Sequence, residues 1–436
     1  MVQVLPMRGL CYGPGYAEAS VFAPPYDVIS SEQQRRLLAR SPYNVVRLIL
    51  GPTPGDGPWY GAAAATLARW VAEGILVRGA APALYGYRQR FALADGRTRL
   101  RSGFIGRIRL GEWGNGVYRH EHTRTGPRLD RLRLTRATRA NLSPVFGLYR
   151  DVHRELSLWL QPPAQPELAF QDDEGVEQAF WRIAEPAAIA ALEEGVAGRE
   201  IVIADGHHRY ETALAYRAER RALEGDPPAL QPYDFVLMYL TAIEDPGLVI
   251  LPSHRVIASP PAVNGAALLQ ALAADFEIAS WDGKEPLTTA VGQAAGGQTS
   301  GAGERTVALG VCLGPAGTWV LRLRDLERAR RAAEGYLAAD LAELDGCVLQ
   351  NLILGPHLHI SPEALANTER VSYTIHQDEA FQRVQTGQAQ AAFILNPTTV
   401  EQVWRAATQG VTMPQKSTYF YPKLLTGLIL NPLDGE

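Results

Sequence analysis

Asp205-Gly206-His207-His208-Arg209 gathers a carboxylate, a glycine, two imidazoles and a guanidinium in five consecutive positions. Three chemistries suit that set. In a phosphate or nucleotide site, Arg209 and backbone N–H groups would hold phosphate oxygens. His207 or His208 would hydrogen-bond or shuttle a proton, and Asp205 would hold a catalytic proton or a magnesium-bound water. In a transition-metal site, Asp and His would bind zinc or iron, with further ligands from elsewhere. As plain architecture, Asp205 caps a helix and the backbone satisfies the histidines. The flanks favour the first. Ile201-Val202-Ile203 reads as the end of a buried strand and Asp205-Gly206 as a turn. Tyr210, Ala213, Leu214 and Ala218 then repeat at helical spacing until Gly225 and Pro227-Pro228. The five residues therefore sit between a strand's C-terminal end and a helix's first turn. Ligands bind there in open α/β sheets, and the helix dipole and free N–H groups favour an anion.

A second polar group is His120-Glu121-His122. Its spacing can present two ligands from an extended strand, or it is a solvated turn. Glu121 is the better base candidate and His120 the better phosphate or substrate contact. Arginines at 124, 128, 131, 133, 136 and 139 follow, with Leu129, Leu132 and Arg136 at helical spacing. This predicts a helix over Asp130–Arg139 with a basic face. Arg139 and Asn141, at its end, are the pair expected to turn inward. The run lacks interleaved aromatics, which argues against a nucleic-acid face.

Of 42 lysines and arginines only Lys284, Lys416 and Lys423 are lysines, and two of these fall in one loop, Lys416-Ser417-Thr418-Tyr419-Phe420-Tyr421-Pro422-Lys423. Where arginine would serve, this chain uses arginine. Lys416 first, and Lys423 second, are thus candidates for a site that needs lysine's compact charge. Ser417 and Thr418 offer hydroxyls to a phosphate.

The remaining composition excludes more than it assigns. A net charge of −4 provides no field for nucleic acid or membrane. Cys11, Cys312 and Cys347 form no CxxC pair, which fits a reducing cytoplasm. No signal peptide or membrane-length apolar run is visible. Walker A, GxGxxG, GxSxG and HExxH signatures are absent. The pattern predicts helices at Glu32–Arg40, Tyr60–Glu73, Pro186–Glu194, Ala266–Phe276, Leu326–Leu344, Asp378–Thr386 and Val400–Thr408. It predicts strands at Val45–Leu50, Val145–Tyr149, Phe235–Ile243 and Ala391–Leu395. Hairpins are expected around Asp95-Gly96 and at Val307–Leu313 with Thr318–Leu323. The expected class is α/β: a mixed-sheet core with a strand–turn–helix motif and a small inserted α/β subdomain. The expected domains are a main one over 1–255, the insertion over 256–325, and a C-terminal helical and α/β segment over 326–436.

Seven blocks carry a family resemblance: Ala23-Pro24-Pro25-Tyr26-Asp27-Val28-Ile29, 41–48, Tyr118-Arg119-His120-Glu121, 136–149, 204–214, 251–256 and 413–423. In this order they resemble the domain of unknown function 1015 family. The Asp-Gly-His-His-Arg segment is also similar to the strand-to-helix motif of the ParB/sulfiredoxin superfamily, which includes free-serine kinases and CTP-binding partition proteins. That second resemblance implies nucleotide-dependent phosphoryl transfer to a small metabolite, with free serine the best-motivated acceptor. His122 departs from the family pattern, which weakens the metal reading, and no metal ligands are assigned. His207 stands where sulfiredoxin has its cysteine nucleophile.

The resulting expectation is a cytoplasmic kinase using ATP or ADP with Mg2+. Asp205, His207, His208 and Glu121 would be catalytic. Gly206, Arg209, His120, Arg139, Asn141, Lys416, Ser417 and Thr418 would bind phosphate or nucleotide. Its partners would be a small-molecule substrate and a nucleotide, with no membrane and no nucleic acid, and a homodimer as an open alternative. The rival readings are a phosphohydrolase, metal-assisted or not, and a non-catalytic nucleotide sensor or DNA-associated ParB-like protein.

Overall fold

A computed structural model describes residues 2–51, 59–121, 125–258, 264–296, 306–334, 341–362, 364–366, 370–414 and 416–434. His122, Arg124 and most of Gly296–Gly303 lie outside the described residues. The chain divides into two compact units. The first comprises Met1–Arg119, Thr123–Val249 and Pro422–Glu436, and the second His120–His122 and Ile250–Tyr421.

The first unit is built on a mixed nine-stranded sheet. In chain order its strands are β1 (Val4–Leu5), β2 (Leu84–Ala92), β3 (Thr98–Arg109), β4 (Val117–Tyr118), β5 (Val145–Tyr149), β6 (Leu168–Gln171), β7 (Glu177–Ile183), β8 (Ile201–Asp205) and β9 (Phe235–Ala242). They lie in the order β4-β8-β5-β9-β3-β2-β7-β6, with β1 on β3. Pairs β4–β8 and β5–β9 are parallel and the other neighbours antiparallel. β2 and β3 form the hairpin expected at Asp95-Gly96, where Gly96 adopts φ +76°.

The continuous apolar runs are explained by burial on both faces. Ile201–Ala204 are buried in β8, and Phe235–Thr241 in β9. The unit also holds helices α1 (Ser31–Arg40), α2 (Val46–Ile49), α3 (Tyr60–Ala72), α4 (Thr125–Thr138), α5 (Pro186–Val196) and α6 (His207–Leu223). One core packs Ile201, Ile203, Val145, Met238 and Leu240 against Leu192 and Val196 of α5 and Tyr210 and Ala213 of α6. The spacing of Tyr210 and Ala213 places both on the helical face that meets the sheet.

Val45–Leu50 is not a strand. Asn44 Oδ1 accepts from Val46 N at 2.9 Å, and its Nδ2 donates to Ser20 O and Phe22 O at 2.7 and 3.1 Å. Asn44 thus caps a helical turn, and tertiary hydrogen bonds override the β-branched bias of the stretch.

The second unit has a six-stranded sheet with every neighbouring pair antiparallel. Its order is Phe276–Ser280, Thr318–Leu323, Ala308–Cys312, Ala391–Ile394, His254–Ile257 and Val371–Thr374. Strands of the 256–325 stretch therefore share one sheet with strands at 371–374 and 391–394. Ala391 and Phe393 enter one apolar cluster while Ala392 and Ile394 enter another, so both faces of this sheet are covered. Two helices are shorter than the periodicity suggests. The one begun at Gly265 ends at Leu272, and Phe276 starts a strand; the one begun at Leu326 ends at Ala333.

His254, in this second sheet, is fully buried. Its Nδ1 accepts from Leu395 N at 3.2 Å, while Nε2 has no partner among the described residues. Burial, then Arg255 and His376, push its pKa down to about 4. The imidazole is neutral when folded and must charge when unfolded, near its ordinary value of about 6.5. Its contribution is therefore full above about pH 6.5 and is lost as pH falls toward 4. Urea unfolding of the second unit should lose about 2 kcal/mol between pH 7 and pH 5, and a His254→Leu variant should flatten that slope.

Candidate functional site

The turn between β8 and α6 holds a compact ionic cluster. Asp205 closes the strand, Gly206 adopts φ +91° and ψ 29°, and His207 begins a 17-residue helix. Lys423 Nζ sits 3.3 Å from Asp205 Oδ2, and Arg209 Nη2 is 3.6 Å from Oδ1. The side chains of Asp205, Arg209 and Lys423 are only 18, 11 and 16 % exposed, so their charges are weakly screened. Burial alone would push the Asp205 carboxyl up. Lys423, Arg209 and the His207 imidazole outweigh it and hold the group well below the usual carboxylate range. Asp205 is thus a permanent anion and a weak base. It lies between the two cations Lys423 and Arg209.

Arg209 is fixed at its other end, donating to Pro144 O. His207 is buried and His208 half-buried in the first turn of α6. One turn on, Glu211 takes Arg119 Nη1 at 2.9 Å, with Arg128 at 3.9 Å. A cavity of about 50 Å³ beside Arg209 is lined by Tyr26, Arg131, Asn141 and Thr212. Asn141 Oδ1 accepts from Leu237 N and Asn431 Nδ2, both at 3.0 Å. Arg139, just past α4, has φ +47°, and its half-exposed guanidinium is 3.9 Å from Asp434.

Gly206 is needed twice over. At its positive φ a side chain is strained, and a Cβ would lie 2.8 Å from the Arg209 guanidinium carbon. A Gly206→Ala variant should lose about 1–3 kcal/mol of stability, read as a lowered urea midpoint. It should also loosen Arg209 from Asp205.

What carries Lys423 to Asp205 is a buried polar network. Arg101 is fully buried, and its Nη2 donates to Gln89 Oε1 and, at 2.6 Å, to Pro422 O. Gln89 Nε2 in turn donates to Lys423 O at 3.0 Å. The Arg101 guanidinium stacks 4.8 Å over the Phe146 ring. Two consecutive carbonyls of the C-terminal segment are thus gripped from the β2–β3 hairpin.

The second unit holds a further polar group. His120 is buried, and its Nε2 lies 3.0 Å from Thr418 Oγ1. Glu121 Oε1 accepts from the backbone N of Lys416 at 3.2 Å. Met413 N donates to His120 O at 2.8 Å, which aligns the two segments. Ser417 Oγ donates to Pro414 O at 2.6 Å. Lys416 has φ +57° and an exposed side chain that meets no described residue in a hydrogen bond or ion pair. Buried Arg255 donates to Ser253 O and stacks 4.8 Å over Tyr373.

The sequence placed its emphasis on Lys416, whereas Lys423 is the lysine on Asp205. Nothing in the sequence singles out Arg101 or Gln89. Lys423 was detectable through the scarcity of lysine, while the buried arginine left no local signal.

Burial pushes the thiols of Cys11 and Cys347 up to about 12. Among the described residues no three His, Cys, Asp or Glu side chains gather as a metal site, and no helix is long and apolar enough to cross a membrane.

The family described as "Protein of unknown function (DUF1015)" matches residues 4–345. The chain belongs to that family. No curated protein matches it. Among solved structures, a conserved hypothetical protein from Pyrococcus furiosus is 12 % identical, with 74 % of this chain and 92 % of that one covered, at a TM-score of 0.33. A free serine kinase in complex with AMP is 10 % identical over 73 % of this chain and 86 % of its own, at 0.32. SbnI with a C-terminal truncation, from Staphylococcus aureus, is 10 % identical over 76 % and 87 %, at 0.33.

Proposed function

We propose that this member of the DUF1015 family is a nucleotide-dependent phosphotransferase acting on a hydroxylated small metabolite, with free serine the leading acceptor. One observation carries the reading. A carboxylate held ionised by Lys423 and Arg209 stands at the N-terminus of a 17-residue helix, beside two histidines. Phosphoryl transfer asks a protein for positioning and charge neutralisation more than for covalent chemistry. The α6 N–H groups and dipole, Arg209 and Lys423 provide that neutralisation. The similarity of Asp205–Arg209 to the ParB/sulfiredoxin motif points the same way.

In the proposed step the acceptor's hydroxyl oxygen bonds to the terminal phosphorus of ATP or ADP. The bond from that phosphorus to the bridging oxygen breaks, and the shortened nucleotide leaves. The hydroxyl proton passes to a base, for which we propose the half-buried His208 on the turn. Asp205 is the carboxylate at hand for a magnesium ion, which would neutralise phosphate charge when bound with the nucleotide. A pairwise screen of nucleotides against small alcohols and hydroxy acids, followed by 31P NMR, tests the reading. The expected result is a new phosphomonoester, lost in His208→Ala. A nucleotide consumed only by water would turn the assignment into a hydrolase.

A further inference from the structure

A larger cavity opens on the other side of Lys423. Its volume is about 240 Å³, against roughly 150 Å³ for an engineered cavity that holds a benzene molecule. It therefore admits a metabolite of about that size or somewhat larger. Phe22, Leu37 and Phe170 form its apolar wall, with the two phenyl rings stacked at 5.1 Å. The rim carries both signs of charge. Arg36 and Arg40 project from α1, and Asp172, Asp173 and Glu174 from the turn after β6. Arg40 Nη1 meets Asp173 Oδ2 at 2.7 Å, which sets the two charged edges against each other. Lys423 lines the same cavity while its Nζ contacts Asp205. A ligand in the cavity would thus lie one side chain away from the β8–α6 turn.

The lining selects against ligands of one sign. A bare anion gains the arginines but faces the three acids, and a bare cation faces the reverse. A molecule with an anionic and a cationic end satisfies both edges, and the Lys423 ammonium and the apolar wall favour a short polar body. We infer that this cavity binds a small zwitterion of the α-amino-acid class, its carboxylate toward Arg36 and Arg40 and its ammonium toward Asp173 and Glu174. The inference rests on the phosphotransferase reading only in making that zwitterion the acceptor.

Calorimetric titration of the full chain separates the possibilities. L-Serine, L-threonine and L-homoserine carry both charges; ethanolamine lacks the carboxylate and glycerate lacks the ammonium. At least one amino acid should bind, with its one-charge analogues weaker by on the order of tenfold or more. Arg36 is 73 % exposed and Arg40 33 %, so a double Arg36→Ala, Arg40→Ala variant should fold normally, as its melting curve would show. It should bind the amino acid at least about tenfold more weakly. Equal binding of glycerate or ethanolamine, undiminished binding by the double variant, or no amino-acid binding at all would overturn the assignment. Nucleotide binding without amino-acid binding removes the cavity proposal and leaves the phosphotransferase reading. Amino-acid binding to a chain that binds no nucleotide does the reverse.

Discussion

Replacing Asp205 by asparagine should lower the stability of the first unit by about 3 kcal/mol. The carboxylate is the shared partner of Lys423 and Arg209, and all three side chains are less than one-fifth exposed. Asparagine keeps the shape but leaves two cations facing each other in a poorly solvated turn. The wild-type protein should show the same interaction as a pH dependence. The folded pKa of Asp205 lies below the unfolded value of about 3.9. Its contribution is therefore complete above about pH 4 and drains away as pH falls through the folded pKa. Urea unfolding monitored from pH 7 to pH 3 should show this loss in wild type and a shallower one in Asp205→Asn. An unchanged midpoint in the variant would mean that the cluster contributes nothing to stability.

Arg101→Ala should be comparably severe, at about 3 kcal/mol or more. The substitution empties a fully buried site and strands the Gln89 Oε1 and Pro422 O acceptors. It should also release the Pro422-Lys423 segment from its anchor. Arg101→Met separates the two effects, because an apolar side chain of similar length refills the space without the buried charge. Arg101→Met should keep more stability than Arg101→Ala yet fail equally to hold Lys423 on Asp205. The discriminating readout is the Asp205 carboxyl by NMR titration, whose pKa should rise in both variants. A carboxyl titration identical to wild type in both would remove the positioning role.

Local patterns exposed the elements whose signals are local. The Ile201–Ile203 run, the helical repeat from Tyr210 and the Asp95-Gly96 hairpin all fold as their residues suggest. Val45–Leu50 did not, because a side chain reaching Ser20 and Phe22 decides its conformation. Phe276, which the helical spacing from Ala266 takes in, instead opens the strand Phe276–Ser280, because a short apolar run looks alike in either state. The same limit governs the site. Asp205–Arg209 is contiguous and therefore visible. The Arg101–Pro422 bond joins residues 321 positions apart, and no periodicity encodes that contact. Lysine scarcity drew attention to both Lys416 and Lys423. Only the fold distinguishes an exposed lysine at a positive φ from one buried on a carboxylate.

We propose that the Asp205–Arg209 turn, completed by Lys423, holds nucleotide phosphates. The most direct test is thermal unfolding of wild type and Lys423→Met with increasing ATP or ADP. A ligand of the folded state at a hundred times its Kd adds about 2.7 kcal/mol of stability. The prediction is a saturable rise in Tm for wild type that is lost or strongly reduced in Lys423→Met. No rise with any nucleotide, or an equal rise in Lys423→Met, would rule out phosphate binding at this turn.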